Sequence, residues 1–161
     1  MASHEAERFD RWMLAALEQA RLAEEAGDVP VGAVVVRDED GQVVASAHNR
    51  RTVDGDPTGH AELLAIRSAA EAIGDWRLSG CTMVATLEPC CMCAGAIVLA
   101  RIGRLVYGAD DPKAGAVRSL YRLCEDSRLN HRVEVVSGIR QTECSDILTA
   151  FFRGRRALGG K

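Results

Sequence analysis

Two short stretches, His60-Ala61-Glu62 and Pro89-Cys90-Cys91-Met92-Cys93, decide what fold and what kind of site are expected of this chain. The first supplies an imidazole and a carboxylate, and the second, which begins 27 residues further on, supplies a Cys-x-x-Cys pair. A zinc ion with a chemical role typically has three protein ligands and keeps one coordination position for water. His60, Cys90 and Cys93 are therefore predicted to hold one Zn²⁺ per chain.

Glu62 is predicted to act as the acid and base of this site. It lies two residues after His60, and on a helix that spacing turns the two side chains to different sides, so Glu62 is poorly placed as a fourth ligand. A Cys-x-x-Cys pair alone would also suit a redox dithiol or a structural zinc site. Joined to His-x-Glu and a preceding proline, it has the signature of zinc-dependent hydrolytic deamination.

Length and composition bound the organisation of the chain. The 161 residues, 47% of them apolar, are expected to form one domain, residues 1–161, with a sizeable core. The apolar runs are too short to span a bilayer and the N-terminus does not resemble a signal peptide, so no membrane association and a cytoplasmic location are expected. Cys81, Cys124 and Cys144 are predicted to be core residues, because the other three cysteines lie within four positions and suit a metal.

The charge pattern argues against indiscriminate nucleic-acid binding. The formal net charge is −3, so any attraction for RNA must come from a local basic surface. Arginines are concentrated near the C-terminus, at positions 153, 155 and 156, directly after Phe151-Phe152. A solvated surface is the ordinary interpretation of such a cluster, and RNA contact is the alternative.

The first part of the chain is predicted to form a helix and a hairpin. Apolar residues at helical spacing indicate an amphipathic helix that ends near Ala26-Gly27. Residues 31–36 and 43–47 are predicted to be strands, and the turn-forming segment Asp38-Glu39-Asp40-Gly41 joins them as an antiparallel pair. Asp56-Pro57 is predicted to cap and open a second helix, which places His60 near its start.

The rest of the chain alternates between strands and helices. Strands are predicted at residues 82–86, 104–107 and 133–136, a third helix from about Cys90 to Ala100, and a closing helix over residues 143–153. Both metal-binding segments then lie at helix N-termini, where the helix dipole favours a thiolate. The alternation predicts a three-layer α/β/α sandwich with a mixed five-stranded sheet.

Several longer motifs resemble those of a known family, the bacterial tRNA-specific adenosine deaminases. The shared motifs of the N-terminal part are Val29-Pro30-Val31-Gly32-Ala33, His48-Asn49-Arg50, Thr86-Leu87-Glu88-Pro89-Cys90 and Met92-Cys93-Ala94-Gly95-Ala96. Those of the C-terminal part are Arg101-Ile102-Gly103-Arg104, Asp111-Pro112-Lys113-Ala114-Gly115, Asn130-His131-Arg132-Val133-Glu134 and Phe151-Phe152-Arg153. His-Ala-Glu with Pro-Cys-x-x-Cys occurs both in the tRNA-specific enzymes and in deaminases of free bases, so it does not distinguish them. The C-terminal motifs do, because they resemble the tRNA-specific enzymes alone.

The resemblance implies a cytidine-deaminase-like fold, a homodimer, and conversion of the wobble adenosine of a tRNA anticodon stem-loop to inosine. It implies zinc on His60, Cys90 and Cys93, with Glu62 as proton shuttle. The positions that it implies for substrate binding are Asn49, Val31, Leu87, Ala61, Asp111, Phe152 and Arg153.

Alternatives remain open for some of these positions and for the activity. Asn49 also suits a turn in which it caps its own backbone, and Val31 and Leu87 suit an ordinary core. The chain departs from the family pattern at Gly59, Cys91 and Asp110. A guanine or nucleoside deaminase acting on a small molecule is the alternative activity, and an inactive zinc-stabilised RNA-binding module is a third interpretation.

Overall fold

A computed structural model of the protein describes residues 2–159, which form helices on both sides of one five-stranded sheet. The helices are α1 (Ala2–Glu25), α2 (Ala61–Ile73), α3 (Cys91–Leu99) and α4 (Gln141–Ala157), with a 3-10 turn at Leu123–Glu125. The strands are β1 (Gly32–Arg37), β2 (Val43–His48), β3 (Cys81–Leu87), β4 (Arg104–Ala109) and β5 (Glu134–Val136).

The sheet is mixed, with the strand order β2-β1-β3-β4-β5. β1 pairs antiparallel with both β2 and β3, whereas β3, β4 and β5 run parallel to one another. The predicted hairpin and the mixed five-stranded sheet are therefore confirmed. The turn between β1 and β2 uses Gly41 at φ 70°, a left-handed conformation that glycine adopts without a steric cost.

Apolar side chains pack between the sheet and the helices on each of its two faces. This arrangement confirms the predicted three-layer sandwich. On one face, α2 and α3 pack against alternate strand residues such as Val35, Met83 and Leu105. On the other face, α1 and Cys144 of α4 pack against the intervening residues such as Val34 and Val84. This alternation follows from the two-residue period of strand side chains.

The start of α2 differs from the prediction. Asp56 does not cap that helix; its Oδ1 atom accepts hydrogen bonds from the backbone N–H and the hydroxyl of Thr58, 2.9 and 2.7 Å away. The helix begins at Ala61, with His60 as its N-cap in an extended conformation. A turn built by a local side-chain bond therefore replaces the predicted first helical turn, and it moves His60 to the helix boundary.

The other predicted boundaries agree with the structure to within a few residues, and the third helix starts at Cys91 with Cys90 as its N-cap. Cys81, Cys124 and Cys144 are buried, as predicted. Within residues 2–159, no helix combines the length and the apolar character needed to cross a bilayer.

Candidate active site

The candidate site lies at one edge of the sheet, where several chain segments converge. Val31 precedes β1 and Asn49 follows β2, and the register pairs Gly32 with His48 at this edge. β3 and β4 end side by side, with Leu87 paired to Ala109. The N-termini of α2 and α3 meet the same edge, so the hairpin, two parallel strands and two helices all contribute to one site.

Three side chains at this edge have the spacing of a metal centre. The Nδ1 atom of His60 lies 3.5 Å from Sγ of Cys90 and 3.6 Å from Sγ of Cys93, and one ligand atom from each residue lies within 4.8 Å of the others. Neighbouring nitrogen and sulfur ligands of a tetrahedral zinc ion are separated by roughly 3.5 Å, given its usual bond lengths. The three residues therefore fit zinc in both chemistry and spacing.

Cys90 has the electrostatic surroundings of a thiolate. Hydrogen bonds from Cys93 and from His60 lower the pKa of Cys90 to about 3, against the effect of partial burial. The same contact with Cys90 raises the pKa of His60. A positive ion bound among these groups would further favour the deprotonated forms, since metal binding displaces protons from its ligands.

Glu62 lies beside the three candidate metal ligands but is not one of that group. It lies in the first turn of α2 and is only 4% exposed. Burial raises the pKa of Glu62 above its ordinary value, because a charged carboxylate is less stable away from water. A carboxyl group with these surroundings is suited to accept and return a proton.

A cavity of about 660 Å³ opens over these groups. Its lining includes His60, Glu62 and Cys90, and a further set of predicted substrate-binding residues, namely Val31, Asn49, Ala61, Leu87, Asp111 and Phe152. The volume is within the range of small-molecule sites and is sufficient for a purine base. Of the predicted substrate-binding residues, Arg153 does not line the cavity, whereas Arg156, a member of the same C-terminal arginine cluster, does.

Asn49 is held in one orientation by a buried acid, Asp28. Its amide nitrogen donates to Oδ1 of Asp28 at 3.2 Å and to the carbonyl of Val29 at 3.0 Å, while its carbonyl oxygen accepts the N–H of Arg51 at 3.1 Å. The last bond is the turn contact considered as the alternative role for Asn49. Asn49 thus makes a local turn and lines the cavity as well.

Asp28 and Glu88 are buried carboxylates that the sequence interpretation did not single out. Besides Asn49, Asp28 accepts the backbone N–H groups of Thr52 and Val53 at 2.8 and 3.0 Å. Burial would raise the pKa of Asp28, but these backbone hydrogen bonds hold it below its ordinary value. One feature of the sequence could have indicated these two acids, because each lies next to apolar residues, in Asp28-Val29-Pro30 and Leu87-Glu88-Pro89. Acids are seldom buried without partners, so an acid in such a segment is a candidate for specific hydrogen bonds.

The aromatic and basic residues of α4 have different surroundings. Phe152 is 45% exposed and lines the cavity. Arg155 stacks on Phe151, 4.9 Å from the ring centre, and donates to the carbonyl of Gly27. Arg153 and Arg156 are exposed to solvent. The arginine cluster is therefore divided between one structural member and two exposed ones.

Comparison with known proteins agrees with this geometry. Residues 7–156 match the MafB19-like deaminase family. The tRNA-specific adenosine deaminase of Bacillus subtilis (strain 168) is 48% identical over 145 residues, which span 90% of this chain and 89% of that protein. The chain belongs to the family of tRNA-specific adenosine deaminases. A solved structure from a study of A-to-I editing by tRNA:A34 deaminases at the wobble position of transfer RNA shares 48% identity and a TM-score of 0.81, covering 86% of this chain and 99% of that one.

A guanine deaminase from Nitrosomonas europaea has the same fold with a different sequence. Its structure gives a TM-score of 0.78 at 22% identity, over 88% of this chain and 83% of that one. That likeness shows the fold alone. The specific resemblance is thus to the tRNA-specific family, as the motifs of the C-terminal part predicted.

The three departures from the family pattern have distinct structural settings. Gly59 leaves little room for a larger residue, because a Cβ atom there would lie 3.1 Å from the carbonyl of Asp56. Cys91 is exposed at the start of α3 and does not belong to the metal-binding group. Asp110 lines the cavity and accepts a hydrogen bond from the hydroxyl of Tyr107 at 3.1 Å.

Proposed function

We propose that the protein converts adenosine at the wobble position of a tRNA anticodon to inosine, with water as co-substrate and ammonia as the second product. The observation that carries the proposal is the convergence of His60, Cys90 and Cys93 with the buried carboxyl of Glu62 at the floor of one cavity. The family to which the chain belongs supports the choice of RNA as substrate.

We further propose that His60, Cys90 and Cys93 hold one Zn²⁺ per chain. When bound, zinc acidifies a water molecule and makes it a nucleophile at neutral pH. Cys90 is the N-cap of α3 and Cys93 lies in its first turn, where the helix dipole favours the thiolate form that zinc binds.

Glu62 would then carry the protons of the reaction. Its carboxylate would accept two protons in turn, the first from the attacking water and the second from the hydroxyl group that this water leaves on C6. Its carboxyl form would return the first to the ring nitrogen beside C6 and the second to the departing amine. The proton balance closes, because adenosine and water give inosine and ammonia. Burial supports this role, since it raises the pKa of Glu62 and so favours the carboxyl form that returns a proton.

Substrate recognition would use the walls and the rim of the cavity. We assign contact with the flipped adenine to Asn49, with Val31, Ala61 and Leu87 as the walls around the base, all four of which line the cavity. Asp111 and Phe152 at the rim, and Arg153 beyond it, would contact the flanking RNA. An anticodon loop suits such a cavity because its bases are already unpaired and cost less to extract than paired bases.

The proposal extends to the assembly and the location of the protein. A homodimer and a cytoplasmic location are the states expected of an enzyme of this family that acts on tRNA.

The decisive experiment presents several substrates to the same zinc-loaded protein. An anticodon stem-loop with adenosine at the wobble position should yield inosine and ammonia, whereas a stem-loop with that adenosine replaced by guanosine should yield neither. Free guanine, cytidine and adenosine serve as parallel substrates. Turnover of a free base or nucleoside, with no inosine in the stem-loop, would favour the small-molecule alternative and overturn the proposal.

A further inference from the structure

Glu88 is a buried carboxylate that neither the metal site nor the proton transfer uses. It is only 2% exposed, yet five donors converge on it. The backbone N–H of Asp111 donates to Oε1 at 3.0 Å, and the hydroxyl of Ser119 donates to the same oxygen. The backbone N–H groups of Val117, Arg118 and Ser119 donate to Oε2 at 3.1, 2.9 and 2.9 Å.

All five donors belong to one segment, residues 110–119, which we call the cavity loop. Its first five residues line the cavity, and the donors to Glu88 lie just after the start of the loop and at its end. Glu88 therefore closes the loop by holding both of its ends. The loop has further bonds within its first part, where the N–H groups of Lys113 and Ala114 donate to Oδ1 of Asp111 at 3.1 and 3.2 Å. Glu88 adds the link between residue 111 and residues 117–119.

The cavity loop also lies directly against the segment that carries a metal-binding thiol. The N–H of Ala116 donates to the carbonyl of Pro89 at 2.9 Å, and Gly115 forms an isolated bridge with Cys90. Gly115 has no room for a side chain, because a Cβ atom there would overlap the carboxyl group of Glu88. The loop, the buried carboxylate and the segment after β3 thus form one tightly packed unit.

We propose that Glu88 is a positioning residue that holds the cavity loop in the conformation that receives RNA. The inference rests on the proposed function for its substrate, and it concerns affinity and not the chemical step. Glu88 also lines the cavity, but both of its carboxylate oxygens accept hydrogen bonds from the loop, so we assign it the support of the loop and no contact with the reacting atoms. It acts through Asp111 and its neighbours, whose places at the rim depend on the five hydrogen bonds.

Glu88→Gln is the most direct test, since it keeps the size of the side chain. Only one oxygen remains as an acceptor, and the new NH₂ group faces backbone N–H groups that also need acceptors. Ser119→Ala is a milder variant that removes one of the five donors. Glu125→Gln is the matched control, because Glu125 is an acid that contacts Arg118 of the same loop from the outside.

Three quantities should be measured on the full zinc-loaded chain: backbone amide hydrogen exchange, zinc content, and KM and kcat with the anticodon stem-loop. In Glu88→Gln, we expect exchange in residues 111–119 to accelerate and KM to rise, each about tenfold or more, as loss of a bond to a buried charge implies. We expect kcat to change much less, and zinc to stay bound. Ser119→Ala should shift KM and exchange in the same direction by about threefold, which is the weaker end of the range for one hydrogen bond, and Glu125→Gln should shift neither.

The results distinguish this inference from the proposed function. Unchanged exchange in the cavity loop, or a fall in kcat at constant KM, would overturn the positioning role of Glu88. If Glu88→Gln fails to fold, Ser119→Ala decides, and wild-type exchange and KM in that variant would overturn the inference. If the wild-type protein does not deaminate the stem-loop, the proposed function fails, while loop exchange still reports whether Glu88 holds the loop.

Discussion

Glu62 is the side chain on which the proposed chemistry depends most. Glu62→Ala should retain zinc and the fold, because Glu62 is not among the predicted ligands and its truncation leaves only a small cavity. Proton transfer by a positioned group contributes about 10²–10⁴-fold to a rate, and Glu62 would serve more than one transfer. We therefore expect the loss of kcat with the stem-loop to reach or exceed the upper end of that range.

Glu71 provides a control for this substitution, because it is an exposed glutamate on the same helix. Glu71→Ala should leave zinc content and kcat unchanged. Near-normal turnover in Glu62→Ala would place the base elsewhere in the site.

Cys93 and Cys91 form a second pair for comparison. Cys93 is buried beside His60, whereas Cys91 is exposed at the start of α3. We expect Cys93→Ala to lose zinc, to lose turnover and to melt at a lower temperature, because metal binding stabilises the folded state. Cys91→Ala should keep one zinc per chain and full activity. Metal analysis and thermal unfolding of the two variants test the assignment, and a zinc-replete Cys93→Ala protein would refute it.

Asp28 should make the stability of the fold depend on pH. Its backbone hydrogen bonds lower its folded-state pKa below 3.8, the ordinary value for an aspartate. Its contribution to stability is therefore present above that value and is lost as the pH falls through the folded-state pKa. At neutral pH, Asp28→Asn should lower the free energy of unfolding by about 1.5–3 kcal/mol, the range for hydrogen bonds to a charged group.

Denaturant unfolding of wild type and Asp28→Asn at several pH values measures this effect. The difference between the two proteins should be largest near neutral pH and should narrow below about pH 4. A difference that stays constant across that range would show that the charge of Asp28 does not contribute.

At the scale of elements, the arginines of α4 fall into two groups. Arg155 contacts the rest of the fold, whereas Arg153 and Arg156 are exposed and are the ones we propose to bind RNA. Replacing Arg153 and Arg156 together by Ala should weaken binding of the anticodon stem-loop. The slope of log affinity against log salt should fall by about 0.7 for each phosphate group that the variant no longer neutralises. Arg155→Ala should instead lower thermal stability, because Arg155 stacks on Phe151 and donates to Gly27.

Arg77 is a suitable control for the α4 variant. It is an exposed arginine beyond the C-terminal end of α2, and the 13 residues of that helix place it about 20 Å from the end that carries His60. Arg77→Ala should leave the affinity and its salt dependence unchanged. If Arg77→Ala and the α4 double variant change stem-loop affinity and its salt dependence equally, the α4 arginines are an ordinary solvated surface and not an RNA-binding site.

For the whole molecule, the proposed homodimer predicts a mass in solution of twice that of one chain. Sedimentation over a series of dilutions should show that mass, together with two zinc ions per particle. Stem-loop deamination should fall on dilution below the dissociation constant if the dimer is the active state. A monomer at all concentrations with full activity would exclude the dimer from the function.

The amino-acid sequence by itself predicted the grouping of His60, Cys90 and Cys93, the hairpin, and the order of strands and helices. These features depend on local spacing: His-x-Glu and Cys-x-x-Cys are short motifs, and apolar periodicity reports the secondary structure of each segment. The start of α2 was predicted less well, because Asp56 satisfies its own turn and not a helix end. Two competing local uses of one aspartate cannot be distinguished by its type alone.

Only the tertiary structure decided which polar groups meet across the fold. Glu88 finds its donors 23 to 31 residues away, and Asp28 is bonded to Asn49 and Thr52 across the start of the hairpin. The different settings of Arg155 and Arg156 likewise depend on where α4 packs, and not on the motif that they share. A buried charge is stable only where the folded chain brings donors to it, so its role follows from long-range bonds that no local pattern of residues records.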